Sequence, residues 1–210
     1  MAREINKLVM RTMAFTLLTI VGTAVLVFLL LSFVAPAAMA RFTCDLGMYK
    51  QSAWYSSLQY ADGAGDIENA EFAMNCCVLA EDDEGVAKYG AQFIGDKRFQ
   101  EYSLSREREE AESGKAYLES YTQYVYGLIG VAYYRIGRSE EAVRLTLSIN
   151  ETEFAEYNAV NDLVTEAIIK SDKAFATSIL TKLSARKETG AYEDTEYLDA
   201  TIETLKKFTA

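Results

Sequence analysis

Residues 126–142 read Tyr126-Gly127-Leu128-Ile129-Gly130-Val131-Ala132-Tyr133-Tyr134-Arg135-Ile136-Gly137-Arg138-Ser139-Glu140-Glu141-Ala142, and this stretch decides the kind of chain. Large apolar and aromatic side chains recur every three or four residues up to Ile136, the period of an α-helix. Gly137-Arg138 breaks the pattern, and Ser139-Glu140-Glu141 supplies an N-cap and an acidic first turn for a second helix. Local chemistry therefore gives a helix, a tight turn and an antiparallel helix. Gly130 and Ala142 are small enough to let the two backbones approach, while bulky residues one turn away fill the groove around them.

Working outward, apolar residues keep helical spacing from Met48 to the end of the chain. Breaks fall near Asp62 to Gly65, Glu81 to Gly85, Gly95-Asp96, Gly137-Arg138, Asn150-Glu151 and Ser171. The spacing predicts helices at about 47–61, 66–80, 83–94, 97–112, 115–136, 139–149, 153–170, 172–187 and 193–208, with ends good to about 2–4 residues. Strand-like alternation is not evident anywhere.

The stretch 126–142 resembles a tetratricopeptide repeat. That family places an aromatic, a large apolar residue, a small one, a tyrosine, a turn glycine and then a small residue on the second helix. Tyr126, Ile129, Gly130, Tyr133, Gly137 and Ala142 stand at those places. Thirty-four residues on, Val160, Leu163, Val164, Ala167, Ser171 and Ala176 are again apolar or small, and Leu180 and Leu183 continue the second helix. Upstream, Trp54, Leu58, Ala61, Gly65, Ala70, Met74 and Cys77 fit the same template, but Ala70 lies 72 residues before Ala142, four more than two repeats. The intervening residues 85–122 depart from the pattern.

The resemblance implies an array of antiparallel helix pairs over residues 47–210 whose first helices line a concave groove. By that mapping Tyr124, Val131, Tyr134 and Arg135 face the groove from the central repeat, Asn158, Asn161 and Thr165 from the next, and Ser52, Tyr55 and Gln59 from the first. Tyr133 is expected between helices instead. A surface mixing aromatic rings with amides and hydroxyls suits an extended peptide or a helix. It lacks the basic clamp that some family members use for a C-terminal carboxylate.

Between Arg11 and Arg41 lie 29 residues without a charge, and the most apolar part runs from Phe15 to Val34. At ~1.5 Å per residue it reaches about 30 Å, the thickness of a bilayer's hydrocarbon core. No polar face interrupts it, as one would in a soluble core helix. Arg3, Lys7 and Arg11 precede the span, which directs residues 1–14 to the cytoplasm and the C-terminal part to the other side. Residues 35–46 are expected as a linker. A second reading stays open: Pro36 followed by Ala38-Met39-Ala40 offers a signal-peptidase site, although the apolar run exceeds the usual ~7–15 residues of a cleaved signal.

The chain has no histidine, which removes Ser-His-Asp and Cys-His nucleophile systems, His-ligated zinc and haem. Beyond residue 40 it carries 18 basic and 30 acidic residues, a formal −12. Phosphate backbones repel such a domain, so nucleic acid is not an expected partner. Proline occurs once, at Pro36, as an all-helical chain permits.

Cys44, Cys76 and Cys77 have neither zinc-ligand nor CxxC spacing, and one of the adjacent pair could bridge Cys44 in an oxidising compartment. Carboxylate runs at Glu81 to Glu84, Glu107 to Glu112 and Glu193 to Asp199 read as solvated helix faces. Asp62-Gly63-Ala64-Gly65-Asp66 opens like a calcium loop but has Ala73 where a bidentate glutamate is needed. Ser103, Ser105 and Ser113, with Lys115 the one neighbouring candidate base, do not form a nucleophile site, and Gly127 and Gly130 do not form a phosphate loop. Asn150-Glu151-Thr152 is a glycosylation sequon.

The expected protein is thus all-α, a single N-terminal transmembrane helix at 15–34 followed by an antiparallel helix-pair array. Its expected function is a membrane-anchored, non-enzymatic scaffold that docks a protein or peptide partner outside the cytoplasm, without cofactor, metal or small-molecule substrate. In architecture it is similar to single-span repeat-containing accessory subunits of envelope assembly and secretion machinery. The alternatives are a helical domain released by cleavage after Ala40 and, further off, a hydrolase built on carboxylates.

Overall fold

The computed structural model describes residues 2–60, 65–113, 120–149, 154–190, 192 and 195–210. Among them are eleven helices and no strand: α1 (Ala2–Val34), α2 (Pro36–Asp45), α3 (Tyr49–Tyr60), α4 (Ile67–Leu79), α5 (Asp83–Ile94), α6 (Phe99–Glu112), α7 (Tyr121–Arg135), α8 (Ser139–Ser148), α9 (Ala159–Ile169), α10 (Lys173–Glu188) and α11 (Glu196–Thr209). Asp62 to Ala64, Lys115, Tyr117, the sequon at 150–152, Glu193 and Asp194 lie outside the described residues.

α1 runs unbroken into its apolar part, and Val9–Val34 is long and apolar enough to cross a membrane, with none of it buried by the rest of the chain. Pro36 at the first turn of α2 ends it, because proline offers no N–H to the preceding turn. The segment expected as a linker is therefore a helix, and Met39 and Ala40 bury against Tyr55 of α3. The helix expected from about 115 begins at Tyr121, where the Ser120 hydroxyl accepts from the Gln123 N–H at 3.2 Å.

Three helix hairpins, α4/α5, α7/α8 and α9/α10, close with the same turn. Glu81, Gly137 and Ser171 take positive φ of 52°, 84° and 54°. The next N–H reaches back five residues in each, from Asp82 to Cys77 O (2.9 Å), Arg138 to Tyr133 O (2.8 Å) and Asp172 to Ala167 O (2.9 Å). This is the Schellman arrangement, which satisfies carbonyls otherwise left open at a helix end. Asp82 and Asp172 then cap the following helices, accepting from Gly85 N and Phe175 N. Arg138 stands at that point in the middle hairpin and pairs instead with Glu141; Ser139 is already the first residue of α8.

Gly137 and Ser171 are 34 residues apart, and the positions that repeat at that interval are buried: Ile129 with Leu163, Ala132 with Glu166, Ala142 with Ala176. Glu81 precedes Gly137 by 56 residues, so an extra 22 enter between the first two hairpins, and they carry α6. Moving back by 56 from Tyr126, Ile129, Gly130, Tyr133 and Ala142 gives Ala70, Ala73, Met74, Cys77 and Val86, all buried. The upstream hairpin in phase is thus α4/α5. The sequence placed it one helix early, on α3 and α4.

The core forms two main clusters. One joins α7 to α11 around Leu163, Ile179, Leu183, Leu198 and Leu205, all fully buried; each such side chain contributes about 1.5–3 kcal/mol by leaving water. The other joins α4, α5, α6 and α7 around Met74, Phe93, Val125 and Ile129. Gly130 and Ala142 meet where α7 crosses α8: a Cβ on Gly130 would come to 2.5 Å from Thr146 Cγ2 and 3.8 Å from Ala142 O. α6 is fastened by polar bonds as well. Tyr102 and Tyr121 both donate to the Glu71 carboxylate, the former at 2.5 Å, and the Tyr121 N–H donates to Glu107 at 2.8 Å.

Candidate binding cleft

α7 lies between the α4/α5 turn on one side and α9 on the other, and a cleft of about 390 Å³ opens over it. Leu128 and Val131 of α7 and Val78 and Val86 of the first hairpin supply its apolar surface. Tyr124, 37% exposed, stands at one end. Gly127 sets the depth, because Asp162 of α9 lies across it and any Cβ there would collide with the Asp162 carboxylate.

Arg135 ties three helices together at the other end. Its Nε and Nη2 donate to the two Glu166 oxygens at 2.8 and 2.9 Å, and its Nη1 lies 3.6 Å from Asp83 Oδ1 at the start of α5. The paired geometry is the strong form of such a bond. It holds the Glu166 carboxyl below the ordinary range, chiefly through the Arg135 hydrogen bonds and despite burial, and raises Arg135 in turn. Lys170 adds a contact to Glu166 at 3.5 Å. The guanidinium is thereby occupied, and five carboxylates line the cleft, those of Glu81, Asp82, Asp83, Asp162 and Glu166, against one cation. The electrostatics suit a ligand bearing Lys or Arg beside apolar groups.

Four residues of the expected groove line this cleft: Tyr124, Val131, Arg135 and Thr165. The others go elsewhere. Tyr134 turns into the core, stacked on Phe175 with ring centroids 4.2 Å apart and its hydroxyl donating to Asp172 at 2.9 Å. Burial and that carboxylate push its phenol up to about 12. Tyr133 is only partly buried, with the Arg138 guanidinium 4.4 Å above its ring.

Asn158 is buried as the N-cap of α9, accepting from Val160 N and Asn161 N. Asn161 faces α11, where its Oδ1 accepts from Thr201 at 3.0 Å. Ser52 is buried and donates to Ala40 O at 2.6 Å, and Tyr55 reaches Ser32 of α1. Gln59 is half-buried on α3, away from the cleft lining. The mapping missed Glu81, Asp82, Asp83 and Val86, since it put the first repeat on the wrong pair. The run Glu81-Asp82-Asp83, matching Ser171-Asp172-Lys173 in turn and cap, was the signal that could have found them.

The cysteines are free; burial pushes the Cys76 thiol up to about 11 and Cys77 to about 12, so both are protonated near neutral pH. Among the described residues no His, Cys, Asp and Glu side chains group as a metal site would require. Comparison with protein-family models, curated proteins and solved structures finds no match to this chain.

Proposed function

We propose that this chain is a membrane-anchored, tetratricopeptide-like scaffold, not an enzyme, whose α5/α7/α9 cleft docks a peptide or helix of a partner protein on the extracytoplasmic face. The observation that carries it is the cleft itself, an apolar floor under a carboxylate-rich rim, built where three like hairpins leave a concave side. The repeat reading draws support from the shared turn, the 34-residue interval between Gly137 and Ser171, and the buried positions that recur with it. An anchor retained in the mature protein fits the packing of α2. A cut after Ala40 would divide that helix and remove Met39 from against Tyr55.

The test is affinity purification from detergent-solubilised membranes, wild type beside Tyr124→Ala combined with Thr165→Arg. Both positions are exposed in the cleft, so helical content and melting should stay unchanged while the co-purifying partner is lost. A partner retained at wild-type yield by the double variant would place the interaction on another face.

A further inference from the structure

The chain's single tryptophan sits at the junction between α1 and the rest of the protein. Tyr55 and Ser32 share a hydrogen bond of 2.8 Å between their hydroxyls, which fixes α3 against the last turn of α1. Ser32 is two residues short of the end of α1, so this bond lies about 3 Å below it at ~1.5 Å of rise per residue. Trp54 packs edge-on against Tyr55, ring centroids 4.9 Å apart, and is half exposed. Leu58, one turn further on the same face of α3, is exposed too.

These side chains extend an apolar surface that begins on α1 with Phe33 and Val34, 85% and 79% exposed. If α1 crosses a bilayer, the lipid that covers Phe33 lies beside Trp54. An indole has an apolar ring and a single N–H, and it is at its most favourable where acyl chains meet headgroups. The domain beyond residue 40 carries a formal −12, so anionic lipid repels it and charge will not hold it to the surface.

We propose that Trp54, with Leu58, inserts into the headgroup boundary of the membrane that α1 spans, and so clamps the helical domain flat against the bilayer. The clamp rests on the anchor proposed above. It adds that the domain is held at a fixed height and angle, not carried on a loose tether.

Tryptophan fluorescence of the full chain in phosphatidylcholine vesicles reads this directly. Two probes are needed: Trp54 itself, and a reporter inside the span made by Leu26→Trp in a Trp54→Phe background. Lipid brominated near the top of the acyl chains should remove most of the Trp54 emission while aqueous iodide removes little; lipid brominated near the chain ends should quench the reporter. A quenched reporter with Trp54 open to iodide leaves the anchor standing and overturns the clamp. A reporter untouched by brominated lipid overturns both. Trp54 shielded from iodide and from lipid alike would mean that protein covers it, a second copy or a partner, and that too overturns the clamp.

Discussion

The α4/α5 and α7/α8 hairpins share a turn and a phase, yet they fill the crossing between their helices in opposite ways. In α7/α8 the small residue is on the first helix: Gly130 sits against Thr146 of the second. In α4/α5 the corresponding positions, 56 residues earlier, are Met74 and Gly90, so the large residue is on the first helix and the glycine on the second. A Cβ on Gly90 would meet Ile129 Cγ1 at 2.5 Å and the Met74 sulfur at 3.4 Å. What repeats is the summed volume at the crossing, because a close-packed interior constrains volume more tightly than it constrains residue type. Sequence similarity between such hairpins can therefore vanish while their geometry persists.

The largest effect expected from breaking this comparison is at Tyr134, which the middle hairpin alone uses to reach α10. Tyr134→Ala should lose about 3–5 kcal/mol, the cost of emptying a buried aromatic site. Tyr133→Ala, on a partly buried ring, should lose less than half as much. Urea unfolding of the two variants in detergent decides it; a larger loss at Tyr133 would mean that the register of α7 is wrong by one residue.

Volume exchange at the crossing gives the next effect. Gly130→Ala should destabilise by ~1–3 kcal/mol, since its methyl lands on Thr146 Cγ2. Thr146→Ser removes that methyl and should restore most of the loss, a coupling that a double-mutant cycle measures. Additive effects would separate the two positions and undo the comparison.

Smaller effects should come from the turns. Gly137→Ala forces a Cβ into left-handed backbone where no neighbour lies within 4 Å, so about 1 kcal/mol of conformational cost should appear unmixed with packing. Ser171→Gly, at the same conformation, should stabilise by up to about 1 kcal/mol. Opposite signs in thermal melts would support the equivalence of the turns, and equal signs would count against it.

pH sharpens the contrast between the α6 insertion and the regular hairpins. Burial and then Glu71 raise the phenols of Tyr102 and Tyr121 above their ordinary value, as burial and Asp172 do for Tyr134. A folded pKa above the unfolded one means stability that is complete below about pH 10 and lost as pH climbs through the folded values. Melting temperature should therefore fall above about pH 10, and tyrosinate absorbance should show the α6 pair ionising only with unfolding. The carboxyls of Asp96, Glu166 and Asp172 are depressed, so their contribution is present at neutral pH and fades as pH drops below the ordinary carboxylate range.

Local chemistry made much of the fold legible. Period, caps and breaks placed α5, α8 and α10 within a residue or two, and the pairing of Gly130 with Ala142 followed from their size alone. Three things were hidden, each for a physical reason. Pro36 reads as a break, yet at the first turn of a helix it is a start, so α2 looked like a linker. Tyr134 is drawn inward by Phe175 and Asp172, about 40 residues away, and no local period reports that contact. The phase of the first hairpin was masked because Glu81 and Ser171 take the conformation that a turn glycine advertises, and because the α6 insertion shifts the count. Four of ten groove residues reached the cleft, those on the outward arc of α7 and α9 whose surroundings the local helix period alone could fix.

The central claim, that the α5/α7/α9 cleft of the anchored protein is where a partner docks, is tested most directly by photocrosslinking in native membranes. A photoreactive phenylalanine analogue would replace Tyr124 in the cleft or, as the comparison, Leu104, which is exposed on α6. The expected result is one discrete adduct from position 124 and none from position 104. No adduct at 124, or the same adduct from both positions, would contradict it.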